Sequence, residues 1–367
     1  MTEKLKVLMD RALDVNFAAV DLDAITTAGD RAVRRRRLAV GGAGLATAVV
    51  VAGTALGLAA ADGEDRAAVQ PDPVVPEVTW VVGSTLHTPH AQHDLGHEAR
   101  SLVRTSEGMV FADEAGAVYS FRDGDVEKIG AGAAVEQGLP VLVSDEESSL
   151  VGWVDRAGEK PTFVTHDVAT GEQTRDDAHT DASMTGEWPP NVAWYLAIED
   201  GTAYWLDRRG TVATDLETGE ARILASPEES GWVSDVENGH IVRLVEDERG
   251  GDVGGEVVDT SGQVVVPVAE GVDLGTLSPD GHRVIDYDLL SALDVRTGER
   301  VRFDVGTSDA GAYEWLDADT VAVLREGAGG DTVDLLTCEV PAGTCAVVVE
   351  GLDGERVVIP SSGFLFG

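Results

Sequence analysis

The sequence predicts an all-β body, a β-propeller, set behind one transmembrane α-helix. Three observations predict it: an uncharged run of 24 residues near the N-terminus, no convincing amphipathic helix after Thr79, and a turn motif that returns about every 44 residues. Together they divide the 367 residues into a short cytoplasmic leader (1–37), a membrane span (38–61), a Pro-containing linker (62–78) and an extracytoplasmic propeller (79–367).

The leader opens with "EKLKVLMDRALDVNF", in which Leu5, Leu8, Met9, Ala12 and Leu13 share one helical face. So short a helix is marginal alone, so a frayed juxtamembrane helix is the simpler reading and docking of a cytoplasmic partner the sharper one.

The span is "LAVGGAGLATAVVVAGTALGLAAA". As a helix it reaches about 36 Å, enough for a hydrocarbon core of about 30 Å. Arg34, Arg35, Arg36 and Arg37 precede it and "DGEDR" follows, so the basic side stays in the cytoplasm and residues 62 to 367 lie outside. A cleaved signal peptide competes, with an A-x-A site at Ala59 to Ala61 and "RRRRLAV" resembling a twin-arginine signal. The apolar run exceeds the usual length of a signal-peptide core, which favours a retained anchor. Pro71, Pro73 and Pro76 then read as an extended spacer.

Charge separates the two sides. Residues 1–37 carry a net +2 and residues 62–367 a net −41, giving the whole-chain −39. A body so acidic repels phosphate backbones and anionic headgroups, which excludes nucleic acid as a partner and disfavours peripheral docking on lipid. The scarcity of Lys, four residues among 27 basic ones, suits a GC-rich bacterial genome.

The recurrence lies in the body. "DVATGE" (Asp167–Glu172), "DLETGE" (Asp215–Glu220) and "DVRTGE" (Asp294–Glu299) each sit between two alternating apolar runs. In such a turn the Asp carboxylate accepts from a backbone N–H two residues on, and Gly supplies the positive φ. Weaker copies surround Gly124, Gly262 and Gly343, so the turn glycines 124, 171, 219, 262, 298 and 343 are spaced by 47, 48, 43, 36 and 45. That period suits one four-stranded propeller blade. In the fifth, "DLGTLS", "HRVIDYD", "LSALDV" and "RVRFDV" supply the four strands. At the two ends, "TWVVGSTLH" with "HDLG" and "ERVVIPSSGFLFG" can share a further blade; if they pair the ring has seven blades, otherwise six.

"LSPDGHRVIDYD", with Ser278, Pro279, Asp280 and Gly281, resembles the S-P-D-G turn of the WD-repeat-like units in TolB-type propellers, and "YEWLDADTVAVL" from Tyr313 resembles their inner strand pair. The resemblance implies a bacterial scaffold class and no particular activity.

"LHTPHAQHDLGHE" gathers four of the eight histidines. With His87 ending one strand, His93 beginning the next and His90 at the tip of a five-residue loop, a copper or zinc ion is conceivable between His87, His90 and His93. Pro89 and Gly96 argue against the helix that would align His90, His93 and His97, so exposed loop histidines are the plainer reading. Cys338 and Cys345 bracket "EVPAGT" and suit a cross-strand disulfide in the oxidising space outside the membrane. No further cysteine exists to complete a thiolate metal site.

No G-x-S-x-G, H-E-x-x-H, P-loop or complete D-x-D-x-D-G motif occurs, and no cofactor is implied. Carboxylate pairs such as Asp286 with Asp288 and Asp317 with Asp319 are expected from composition alone. The reading is a non-catalytic binding or scaffold module for an envelope protein or a glycan. Its alternatives are a propeller hydrolase or lyase with carboxylates at the central channel, and a transmembrane sensor that couples ligand capture to the leader.

Overall fold

A computed structural model describes residues 78–133, 142–179, 193–226, 232–246, 252–266, 274–287, 289–307, 310–329 and 331–361. The leader, the span with its four arginines, and the linker up to residue 77 lie outside the described residues. Among the described residues no helix is long and apolar enough to cross a membrane. Val78, the last linker position, is buried against Ala322, Leu335 and Ile359 and so belongs to the propeller.

The strands form seven four-stranded antiparallel sheets. Blades 1 to 6 begin with inner strands Ala99–Thr105, Val143–Ser144, Trp194–Glu199, Trp232–Glu237, Leu274–Leu277 and Ala310–Asp317, each followed by three strands stepping outward. The seventh blade takes its inner strand, Val357–Val358, from the C-terminal end and its outer three, Trp80–Val82, Thr85–Thr88 and Ala91–Asp94, from the N-terminal end. Val81 pairs with Val358 and Val82 with Val357. Both ends therefore close one ring, and each blade keeps only short, protected edges, the outer strand of blade 6 excepted.

Every turn picked out by its glycine, from Gly124 to Gly343, joins the third strand of a blade to the outer one. Asp167, Asp215 and Asp294 do the same work in three of them. Asp294 Oδ1 accepts from the N–H groups of Arg296 (2.9 Å) and Thr297 (2.8 Å), while Thr297 Oγ1 accepts from Glu299 N (3.2 Å). Asp167 and Asp215 repeat the pattern.

The core lies between blades. Side chains alternate along each strand, so one set faces each neighbouring sheet. Between blades 2 and 3, Phe163 stacks on Trp205 at 4.6 Å, and Tyr195 meets both edge-on. Gly152 makes room for this cluster, since a Cβ there would come within 2.6 Å of the Tyr195 ring. Outer strands are wet; Gln173–Asp177 is exposed throughout.

Candidate functional site

In all seven blades the inner strand runs in the same sense, so the turns into the second strands gather at one mouth of the central channel. The carboxylates collect there. Glu199 and Glu237 are the last residues of their inner strands, each followed by a two-residue hairpin turn, Asp200-Gly201 and Asn238-Gly239. All four turn residues have positive φ (46° and 70°, 48° and 75°), the geometry that Asp-Gly and Asn-Gly favour. The tight turn thus fixes each glutamate at the rim. Asp235 lies two residues deeper on the blade 4 strand, Glu314 on the blade 6 strand, Arg104 near the end of the blade 1 strand, and Glu146 just beyond the blade 2 strand.

Burial grades with depth. Glu314 (7% exposed) and Asp235 (8%) are buried, Glu199 and Glu237 are half-buried, and Glu146 is exposed at the mouth. Asp235 Oδ2 accepts from Leu277 N (2.7 Å) and Glu199 Oε1 from Gly239 N (3.1 Å), so each also ties its blade to the next. Glu314 Oε2 is buried with no hydrogen-bond partner among the described residues.

This environment favours the neutral acids. Burial raises Asp235 to about 7, helped by the Glu199 carboxylate and opposed by the Leu277 and Val236 N–H groups. Burial first, then Asp235, Glu199, Asp145 and Glu146, pushes Glu237 to about 9. Glu314 is raised well above the carboxylate range by burial, then by Glu146 and Asp235, with the Ser361 hydroxyl and the Arg104 guanidinium acting the other way. Glu199, half-buried, is raised for the same leading reason. Groups on blades 2, 4 and 6 are not neighbours around the ring, so they act on one another only across its axis.

The histidines are held differently from the five-residue loop that the spacing suggested. The hairpin closes through two residues, Pro89 and His90, with Thr88 paired to Ala91. His87 is opposite Gln92 and His93 opposite Leu86, which puts the two imidazoles on opposite faces of the sheet. His87 stacks on Trp80 (4.9 Å), and His93 packs against Phe121 (5.0 Å). Among the described residues no group of three or more His, Cys, Asp or Glu side chains could hold a metal ion. This hairpin is the closing blade's counterpart of the D-x-x-T-G-E turns.

Cys338 and Cys345 are paired in the ladder and joined as a disulfide, with Cα atoms 4.0 Å apart. Of the carboxylate pairs, Asp286 is buried and bound by Arg300, while Asp288 lies outside the described residues. Asp317 accepts from Asp319 N (2.8 Å), and Asp319 meets Arg283 at 2.6 Å. Asp286 thus serves an ion pair within blade 5, whereas Asp317 ends the blade 6 inner strand at the same rim as Glu199 and Glu237 and holds the turn there.

The signal for those acids was a glutamate directly before D-G or N-G, in "IEDGTAYWL" and "VENGHIVRL". Asp235 and Glu314 carry no comparable local mark, because their meeting depends on closure of the ring.

The seven sheets and their shared closing blade define the class: a closed seven-bladed β-propeller. The chain is similar in fold to TolB from Acinetobacter baumannii, at 11% identity and a TM-score of 0.39 over 78% of this chain and 67% of that one. It is also similar to regucalcin, a calcium-binding protein from Agrobacterium tumefaciens, at 17% identity and a TM-score of 0.33 over 54% of this chain and 69% of that one. A chain of the nidogen/laminin complex matches at 12% identity and a TM-score of 0.36, over 61% and 91% of the two chains. These are likenesses of fold alone. No protein-family model matches the sequence, and no curated protein matches it.

Proposed function

We propose that this chain is a membrane-anchored binding module, its propeller held outside the cytoplasmic membrane by the span at residues 38–61 and its N-terminal leader inside. The partner is an envelope protein or a glycan, received at the channel mouth where the inner strands end. The observation that carries this reading is the placement of Glu146, Glu199, Asp235, Glu237 and Glu314 on or just beyond the inner strands of four blades of the closed ring. Uncharged residues flanked by four arginines support the anchor and its direction.

Full-length protein solubilised in native detergent tests the binding. Cross-linking through a photoreactive residue at Glu146 is expected to capture an envelope component, or else a glycan panel to shift the protein. No capture and no shift contradict the reading. Protease added to spheroplasts is expected to digest the propeller while a tag on the leader stays protected; the reverse pattern contradicts the topology.

A second reading has one specific support: carboxyls that keep their protons near neutrality are suited to general acid catalysis. A hydrolase or lyase would lose turnover in Glu237→Gln, whereas a binding module has no turnover to lose.

A further inference from the structure

Blade 6 is built larger than the ring requires. Its outer strand, Thr344–Asp353, runs ten residues, where the outer strands of the other six blades run three to six. The far end of that strand lies on the face opposite the acidic mouth. The second strand, Thr320–Glu326, leaves the mouth and ends there too, with Glu326 paired to Val333 and Val333 to Leu352.

A bulge interrupts the ladder at this end. Val333 pairs with Leu352 and Leu335 with Val349, so Asp334 alone stands opposite Glu350 and Gly351. Such a bulge bends the strand and re-aims its side chains. Gly351 takes the positive φ (70°) that the bend needs, and its N–H donates to Asp334 Oδ1 (2.9 Å).

The bulge and the segment that enters blade 6, residues 305–307, together line a groove of about 510 Å³. Small-molecule sites hold roughly 300 to 1,000 Å³. Its most buried lining is an ion pair: Arg325 Nε and Nη2 donate to Asp334 Oδ2 (3.1 and 3.0 Å), and Asp334 is 8% exposed. Arg325 Nη1 donates to Val305 O (3.2 Å), which fixes the entering segment against the pair. The glycines of the lining leave backbone bare, for a Cβ at Gly351 would meet nothing within 4 Å and one at Gly306 only Arg325 Nη1 at 3.9 Å.

The lining selects the occupant by its chemistry. Glu326, Asp334 and Glu350 set three carboxylates against one guanidinium, whose charge Asp334 already holds, so an anion is repelled. Glu326 and Glu350 are exposed, so an ammonium group pairing with them gains little. Among the described residues no group of side chains could hold a metal ion. What the groove offers is carboxylate oxygens that accept, further N–H groups of the guanidinium fork that donate, and the Thr332 hydroxyl, which does both. An uncharged ligand rich in hydroxyls answers all of them.

We propose that this groove binds an uncharged saccharide, whose hydroxyls donate to Glu350 and Glu326 and accept from Arg325. The inference goes beyond the channel-mouth reading, since it is a second site on the opposite face. No aromatic ring lines the groove among the described residues, so no sugar face is stacked and hydrogen bonds alone set a Kd of about 1 mM.

Saturation-transfer NMR on the full-length protein, in micelles of a detergent without a sugar headgroup, detects binding of that strength. The probes are maltotriose and triacetylchitotriose, both uncharged, and glucuronic acid, an anion. At least one uncharged sugar is expected to receive saturation, and glucuronic acid none. Glu350→Ala and Glu326→Ala each remove an acceptor on an exposed side chain and are expected to weaken binding about tenfold. Melting curves check that both variants fold, and either one alone carries the test. Glu172→Ala, on an outer turn of blade 2, is the control and leaves binding unchanged.

No transfer to either uncharged sugar at about 10 mM, tenfold above that Kd, overturns the proposal. So does equal binding in the wild type and both groove variants, or glucuronic acid binding as well as the uncharged sugars. Binding that survives the groove variants and is lost in Glu237→Gln puts the sugar at the channel mouth: the groove inference falls and the binding reading stands. If the groove variants lose the sugar while cross-linking at Glu146 captures nothing, the groove stands and the mouth loses its partner.

Discussion

At the scale of single residues, two kinds of position hold the ring. The turn aspartates hold hairpins by local hydrogen bonds. Burial works against ionised Asp294, yet the N–H groups of Thr297 and Arg296 and the Thr297 hydroxyl keep its carboxyl below the usual range. Asp294→Ala is expected to lower stability by about 1 kcal/mol, as loss of a capping acceptor does elsewhere, measured by urea unfolding. The sign follows from the lowered pKa: this contribution is present above the ordinary carboxylate range and is lost as pH falls through the folded value. Close-approach glycines are the second kind. Gly152→Val would drive a side chain into the Tyr195 ring, and an overpacked core costs about 1 to 3 kcal/mol. A melting temperature equal to wild type would show that Tyr195 can yield.

At the scale of elements, the strands and their outer turns were legible because each is a local matter: alternating apolar runs, an Asp, and a Gly in the left-handed region. The disulfide was legible for the same reason, since Cys338 and Cys345 sit symmetrically about one turn. Breaking it with Cys338→Ser and Cys345→Ser together is expected to cost about 2 kcal/mol, from the loop it closes in the unfolded chain. A reductant should shift the wild type and leave the double variant unmoved. The histidine hairpin was read with the right strands and the wrong register. A two-residue turn moves His87 and His93 to opposite faces, and a slip of one residue always does so. Glu199 and Glu237 could have been found from the D-G and N-G that follow them. Asp235 and Glu314 could not, because periodicity marks a residue as facing a neighbour without saying which distant blade lies across the axis.

At the scale of the whole molecule, closure is the event on which the site depends. Arg356 to Ser361 bring the last inner strand to Trp80–Val82, with Gly83 N donating to Arg356 O (3.1 Å) and Ser361 N to Leu102 O (2.9 Å). Deleting residues 356 to 367 is expected to open the ring and enlarge the radius of gyration in X-ray scattering; an unchanged radius would mean that the blades hold their circle without the shared sheet. The closed ring also sets a pH dependence. Asp235 at about 7 and Glu237 at about 9 both lie above the unfolded value near 4, so their contribution to stability is complete below that value and is lost as pH rises through the folded ones. Thermal melting of the full-length protein from pH 5 to pH 9, beside Glu237→Gln, tests whether these acids meet at one channel mouth. The melting temperature of the wild type is expected to fall across that range and that of the variant to fall less. A wild-type melting temperature that rises with pH, or two curves that run parallel, would contradict it.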